Sequence, residues 1–274
     1  MNAGNALHNF ERWSRALAPP AVKLLRPSLP AAAAAIALLA ATVASMVLLD
    51  TAASDWATHR LPQWFRDIFE EITNLGLSGW FLIPLGFILL GLAAAISPAL
   101  SRAAQATLTA VAARCGFLFL AIGAPGLFVT IVKRLIGRAR PYVGGHDDPF
   151  SYMPFIWRPE YASMPSGHAT TAVSAAIAIG AIWPRTRPVM WIYAFVIMFS
   201  RVVIGAHHPS DVIAGALTGA AGAYLVRRWF ASRRLVFSAR DLHAFAGPSW
   251  RRIRSALGEV LAKTRPIERA RDAL

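Results

Sequence analysis

The sequence predicts an all-α integral membrane protein: a six-transmembrane-helix bundle with interfacial helices and a basic cytoplasmic tail. Three observations point there. Hydrophobic residues make up 56% of the 274 and charged ones 15%, with a mean hydropathy of +0.46, which lies outside the usual globular range. Several stretches then run uncharged for about 20 residues, the length that crosses a hydrocarbon core. Finally, the net charge of +14 is distributed according to those stretches, so it reads as membrane orientation and gives no support to a nucleic-acid partner.

Residues 1–28 form a basic segment, and the run from Leu29 to Leu49 is the first span. Thr51, Ala52 and Ala53 after it imitate a signal-cleavage site, but the apolar run is longer than a signal core, so an uncleaved anchor is expected. From Trp56 to Leu77, Trp64, Phe65, Ile68, Phe69 and Ile72 recur at helical spacing among Asp67, Glu70 and Glu71, the pattern of a helix lying along the interface. Further spans are expected near 78–97, 109–132, 168–183, 188–204 and 211–226. Cys115, the sole cysteine, falls in or beside the third, where it packs and forms no internal disulfide. Between the third and fourth spans, Tyr152, Phe155 and Trp157 suit a lip at headgroup level.

The membrane domain thus covers 29–226, and a basic tail follows over 227–274. In the tail, Ser249 is placed to cap a helix with Trp250, Ile253, Leu257, Val260 and Leu261 on one face and Arg251, Arg252, Arg254 and Lys263 beside it. That face would rest on anionic lipid. With six spans and a cytoplasmic N-terminus, the inner segments carry 20 Lys/Arg and five acidic residues, and the outer segments eight and nine. Both termini are therefore expected in the cytoplasm.

Chemistry is sought where ionisable residues sit at membrane depth, because such groups are costly there. Three clusters stand out. Lys133, Arg134, Arg138 and Arg140, with Pro141, close the third span. Pro165-Ser166-Gly167-His168 opens the fourth, where a hydroxyl and free helix N-terminal amides suit an anion. Ser200-Arg201 is followed by His207, Pro209 and Asp211, and Pro209 suits the first turn of the sixth span. All three fall at the outer ends of spans. Together they supply cations, histidines, a carboxylate, a hydroxyl and helix N-termini, a set suited to phosphoryl transfer.

These residues resemble the signature of the type 2 phosphatidic acid phosphatase superfamily, the lipid phosphate phosphatases related to vanadium haloperoxidases. KxxxxxxRP is Lys133 to Arg140-Pro141, PSGH is Pro165 to His168, and SRxxxxxHxxxD is Ser200-Arg201 with His207 and Asp211. The resemblance implies that His207 attacks phosphorus to form a phosphohistidine while Asp211 orients its ring. It implies that His168 protonates the leaving group and later deprotonates water. Lys133, Arg140, Arg201, Ser166 and the Gly167 amide would hold the phosphate oxygens. No cofactor is expected.

Other residues receive plainer readings. Arg134 and Arg138 fall on positions outside the signature and read as interfacial anchors; Asp147, Asp148 and Glu160 read as solvated loop charges. His208 adjoins His207, but only His207 satisfies both spacings. A metal held by His168, His207, His208 and Asp211 would be repelled by the three cations, so none is expected. The expected partners are membrane lipids and a lipid phosphate: phosphatidylglycerophosphate, phosphatidate, undecaprenyl pyrophosphate or the 1-phosphate of lipid A. A phosphotransferase of the same fold and a non-catalytic anion-binding protein or transporter are the alternatives. Arg outnumbers Lys 25 to 3, a compositional association with a GC-rich genome and a bacterial inner membrane, with the site on the periplasmic face. Oligomeric state is not legible.

Overall fold

The structure, a computed structural model, describes residues 29–240 and 242–271. The expected N-terminal segment, 1–28, and the last three residues of the tail lie outside the described residues. Helices dominate. They are α1 (Leu29–Leu48), α2 (Asp50–Asp55, continued by a π-turn Trp56–Arg60), α3 (Gln63–Asn74), α4 (Gly79–Ala95) and α5 (Arg102–Ile136). After a long loop come α6 (Gly167–Ile182), α7 (Arg187–Val203), α8 (Pro209–Ser232) and α9 (Trp250–Arg271). Among the described residues there is no strand, only isolated antiparallel bridges at Arg138–Tyr152 and Phe237–Ala244.

Each predicted span falls on a helix, but by length and composition the helices are unequal. Gln63–Ala95, which runs through the turn between α3 and α4, Arg102–Ile136 and Pro184–Val203 are long and apolar enough to cross a membrane. A fourth candidate is the bent pair Ala32–Leu48 and Asp50–Arg60, broken by 64°. α6 is apolar but has only 16 residues, roughly 24 Å of rise against about 30 Å of hydrocarbon. The protein is thus an all-helical membrane protein with three or four clear spans among the described residues.

The described residues divide into two compact units, 29–82 with 120–227 and 83–119 with 228–271. In the first, α6 is buried along most of its length. Its Ala172, Val173 and Ala176 pack with Ala194 and Ile197 of α7, and Ile72 of α3 packs against them. α8 meets α6 through glycines. A Cβ on Gly219 would stand 2.5 Å from the Thr170 carbonyl oxygen, and one on Gly215 would overlap that of Ser166. Glycines four residues apart let two helix backbones approach closely. The first turn of α6 is thereby held against α8.

In the second unit, Leu92 and Ile96, Leu100, Ala104, Leu108 and Ala112 form a core that also takes Ala256 of α9. Ser101 donates from its N–H and Oγ to the Glu259 carboxylate at 2.6 and 2.8 Å. The Arg252 N–H donates to Ser249 Oγ at 3.4 Å, the expected cap. The apolar face foreseen for this helix is split. Val260 packs on the core, whereas Trp250, Leu257 and Leu261 stay exposed.

Candidate active site

Every residue of the site lies in the first unit, and local backbone features aim each one. α5 ends after Lys133 because Gly137 takes φ +63°, and a Cβ there would overlap the Met153 carbonyl; glycine adopts this conformation without steric cost. The chain leaving α5 is then pinned: the Ala139 N–H donates to the Ser151 carbonyl at 2.9 Å and the Arg140 N–H to that of Glu160 at 2.8 Å. Ser166, extended at φ −68° and ψ 120°, precedes α6. Its N–H donates to the Asp211 carbonyl at 2.9 Å, tying the start of α6 to the first turn of α8. After α7, Gly205 at φ +66° reverses the chain. The N–H groups of Ala206 and His207 then both reach the Arg201 carbonyl, at 3.1 and 3.2 Å.

Asp211 is the hub. It is fully buried, and Arg138 Nη1 donates to its Oδ1 at 2.6 Å. Its Oδ2 accepts from Ser163 Oγ at 2.6 Å and from the His208 N–H at 2.9 Å. His207 Nδ1 lies 3.7 Å from Oδ2, beyond hydrogen-bond reach, and 3.4 Å from Ser163 Oγ. Ser163 Oγ therefore lies beside both, donating to the carboxylate and within reach of the ring nitrogen. With Nδ1 turned to this pair, Nε2 is the nitrogen left for chemistry.

The charges of Lys133, Arg140 and Arg201 act on one another and on His168. Arg201 is held by Thr73 of α3, whose Oγ1 accepts from Nη1 at 2.8 Å and from Ser200 Oγ at 2.9 Å. Nε of Arg140, Nε of Arg201 and Oγ of Ser166 are buried with no hydrogen-bond partner. Two cations, and a hydroxyl at the start of α6, thus keep donors available to an anion bound beside His207. The first N–H groups of α6, beginning with Gly167, add the unpaired donors of a helix N-terminus.

Burial pushes His207 down to about 4; Arg201 and Arg140 lower it further against the pull of Asp211. The ring is neutral at pH 7 and keeps its lone pair. Burial also lowers Arg140, with a push from Arg134 against the pull of Asp211 and Glu160. For His208, burial and Arg138 oppose protonation, but Asp211 and Asp147 outweigh them and raise its pKa.

The structure brings the eight residues of the expected site into one region of this unit and corrects three readings around them. Arg138 is no interfacial anchor: it has no exposed side-chain surface and bridges Asp211 to Asp50, which its Nη2 reaches at 2.8 Å. Asp147 is no solvated loop charge: its side chain is 5% exposed and its Oδ1 lies 3.1 Å from His208 Nε2. That contact occupies His208. Third, the N-terminus of α8 does not face an anion site, since Asp50 Oδ1 already accepts the Ser210 N–H at 3.0 Å.

Asp50, Ser163 and Thr73 escaped the sequence reading. For Asp50 the signal existed, as a carboxylate directly after a 20-residue apolar run is a charge at membrane depth. Ser163 and Thr73 carry none, being small hydroxyls defined only by neighbours distant in sequence.

Two cavities flank the site. One of ≈ 350 Å³ holds His168 and Gly167 and is otherwise lined by Leu82, Gly123, Leu127 and similar residues. The other, of ≈ 640 Å³, is polar and holds Arg140 and Arg201 with Arg66, Asn74 and Glu160.

Fold and site define a helical membrane protein that gathers cations and a helix N-terminus around a neutral histidine backed by a carboxylate. The model of the PAP2 superfamily matches residues 114–235. The lipid A 1-phosphatase of Rhizobium johnstonii is 32% identical over 73% of this chain and 80% of its own. That of Rhizobium etli is 34% identical over 65% and 76%. Phosphatidylglycerophosphatase B of Escherichia coli is 34% identical, but over only 30% of this chain and 34% of its own. The chain belongs to the PAP2 superfamily and is a membrane phosphatase.

Proposed function

We propose that this protein removes the 1-phosphate of lipid A in two displacements at His207, without a metal, at the outer face of a six-span bundle. His207 Nε2 attacks phosphorus as the bond to the lipid oxygen breaks, and His168 gives that oxygen its proton. Water then attacks the phosphohistidine, its proton passes to His168, and the phosphorus–nitrogen bond breaks to release phosphate and neutral His207. Ser163 and Asp211 hold Nδ1 and stabilise the imidazolium character that attack creates. Lys133, Arg140, Arg201, Ser166 Oγ and the Gly167 amide take the equatorial oxygens, where charge develops.

The observation that carries this reading is the set of buried, unpartnered donors on Arg140, Arg201 and Ser166 beside the neutral His207. The cavity at His168 supports a lipid leaving group, because the general acid must face the departing oxygen and the lining there is mostly apolar or small. The exposed Phe155 and Trp157, 73% and 78% accessible, suit a lip in contact with lipid. Lipid A is favoured over the other lipids because both lipid A 1-phosphatases align over most of this chain, whereas phosphatidylglycerophosphatase B aligns over less than a third.

The test is phosphate release in detergent with EDTA from lipid A, phosphatidylglycerophosphate, phosphatidate and undecaprenyl pyrophosphate, for wild type and His207→Ala. Release from lipid A should be fastest, insensitive to EDTA and absent in the variant. Faster release from another lipid would overturn the substrate, loss with EDTA the metal independence, and activity in His207→Ala the nucleophile.

A further inference from the structure

Asp50, Arg138 and Asp211 form a chain of opposite charges without exposed side-chain surface. The Arg138 guanidinium is used on every nitrogen: Nη1 donates to Asp211 Oδ1 and to Ser210 Oγ (2.7 Å), Nη2 to Asp50 Oδ2, and Nε to the Pro149 carbonyl (2.9 Å). Asp50 is equally committed. Its Oδ1 accepts from the Ser210 N–H at 3.0 Å and Ser45 Oγ at 3.2 Å, and its Oδ2 from Ser210 Oγ at 2.5 Å. Breaking a buried pair strands a charge and is strongly destabilising, while an apolar replacement of the whole pair is often tolerated, so packing alone does not call for such a chain. Its terminus is Asp211, the carboxylate behind the nucleophile.

Resting on the phosphatase reading above, we propose that Arg138 and Asp50 are positioning residues for the reaction. They fix the rotation of the Asp211 carboxylate so that Oδ2, with Ser163, faces His207 Nδ1. One planar fork suits this, because it grips Asp211 and Asp50 at once; a lysine carries the same charge as a single point donor. The first span thus belongs to the catalytic apparatus through Asp50, at the bend between α1 and α2. The charged groups that face His207 are Asp211 on α8, Arg201 on α7, Arg140 in the loop after α5 and His168 on α6. Arg138 and Asp50 set how much of the Asp211 charge the ring feels.

The experiment measures kcat, KM and the pH dependence of kcat/KM on the best lipid substrate for wild type, Arg138→Met, Arg138→Lys and Asp50→Asn, with His207→Ala as the inactive control. All are checked for a monodisperse fold in detergent. Arg138→Met should lower kcat by about 10²-fold, the cost of a small misplacement of reacting groups, and leave KM within about twofold. It should also move the acid limb of kcat/KM to higher pH, since Asp211 then presents its whole charge to His207 and eases its protonation. Arg138→Lys should lower kcat with the acid limb unmoved. Asp50→Asn, nearly isosteric, should lower kcat at constant KM. Folded variants with wild-type kcat, or an unmoved limb in Arg138→Met, would overturn the inference. If Arg138→Met does not fold, wild-type kcat in both Arg138→Lys and Asp50→Asn overturns it alone. A wild-type enzyme that releases no phosphate would instead refute the phosphatase reading.

Discussion

His207 has one nitrogen facing Ser163 and Asp211 and the other free, and that asymmetry governs its response to acid. Burial holds its pKa near 4 in the folded protein against an ordinary 6.5, so the folded state binds this proton only at lower pH. Two consequences follow in opposite senses. As the proposed nucleophile, His207 stays neutral as pH falls through 6.5, so the acid limb of kcat/KM assigned to it should lie near 4. Stability behaves otherwise: between 6.5 and 4 the unfolded chain is the state that protonates His207, so stability is greatest above 6.5 and declines as pH drops through that window. A melting series over the window should show a smaller decline for His207→Gln than for wild type; equal declines would refute the buried, neutral ring. At this scale the residues legible in the sequence were those whose charge or motif position sets them apart. Arg138 was visible but misread, because the sequence shows an arginine near a helix end and not the two carboxylates, 88 and 73 residues away in the chain, that draw it inward.

At the scale of the element, helices matter by how closely they let their ends approach. α6 carries Ser166 and His168 at its start, and α8 carries Asp211. The Gly215 and Gly219 positions set their separation. Gly219→Ala should force its Cβ against the Thr170 carbonyl and cost about 1–3 kcal/mol, the usual range for overpacking. In a chain of this size that is a fall of about 2–4 °C in melting temperature per kcal/mol. Gly91→Ala, at an α4 position with nothing within 4 Å, should leave the melting temperature unchanged or raise it, because alanine is the better helix former. A Gly219→Ala enzyme as stable as wild type would mean that the α6–α8 approach has slack. The helices themselves were legible because apolar runs must satisfy their backbone internally in a membrane. The role of α3 was not. Its amphipathic pattern marks an interfacial helix, yet Thr73 at its end grips Arg201, a contact set by tertiary packing against α7 that no periodicity encodes.

For the whole molecule, the charge distribution and the site make one joint statement about direction. If six helices cross, the inner segments net +15 and the outer ones −1 by the counts above, and the loops carrying Arg140, Ser166 and His207 all fall on the outer side. The bias is strong because cytoplasmic loops retain Lys and Arg, and four of the eight outer cations, Lys133, Arg138, Arg140 and Arg201, belong to the proposed site or stand behind it. A five-span arrangement, or removal of the first span, would separate the tail from the cytoplasm or delete Asp50. Cysteine labelling tests which side the site loop and the tail each face, since Cys115 is the only native thiol. In a Cys115→Ala background, His146→Cys places a thiol in the exposed loop between α5 and α6, and Ala239→Cys places one in the exposed segment after α8. A membrane-impermeant maleimide should label position 146 in intact spheroplasts and position 239 only after lysis. Labelling of both in intact spheroplasts would mean an even number of crossings between them, against the three of the six-span arrangement. The reverse pattern would put His207 in the cytoplasm, where a lipid displayed on the outer leaflet is out of reach and the substrate must be one presented on the inner face.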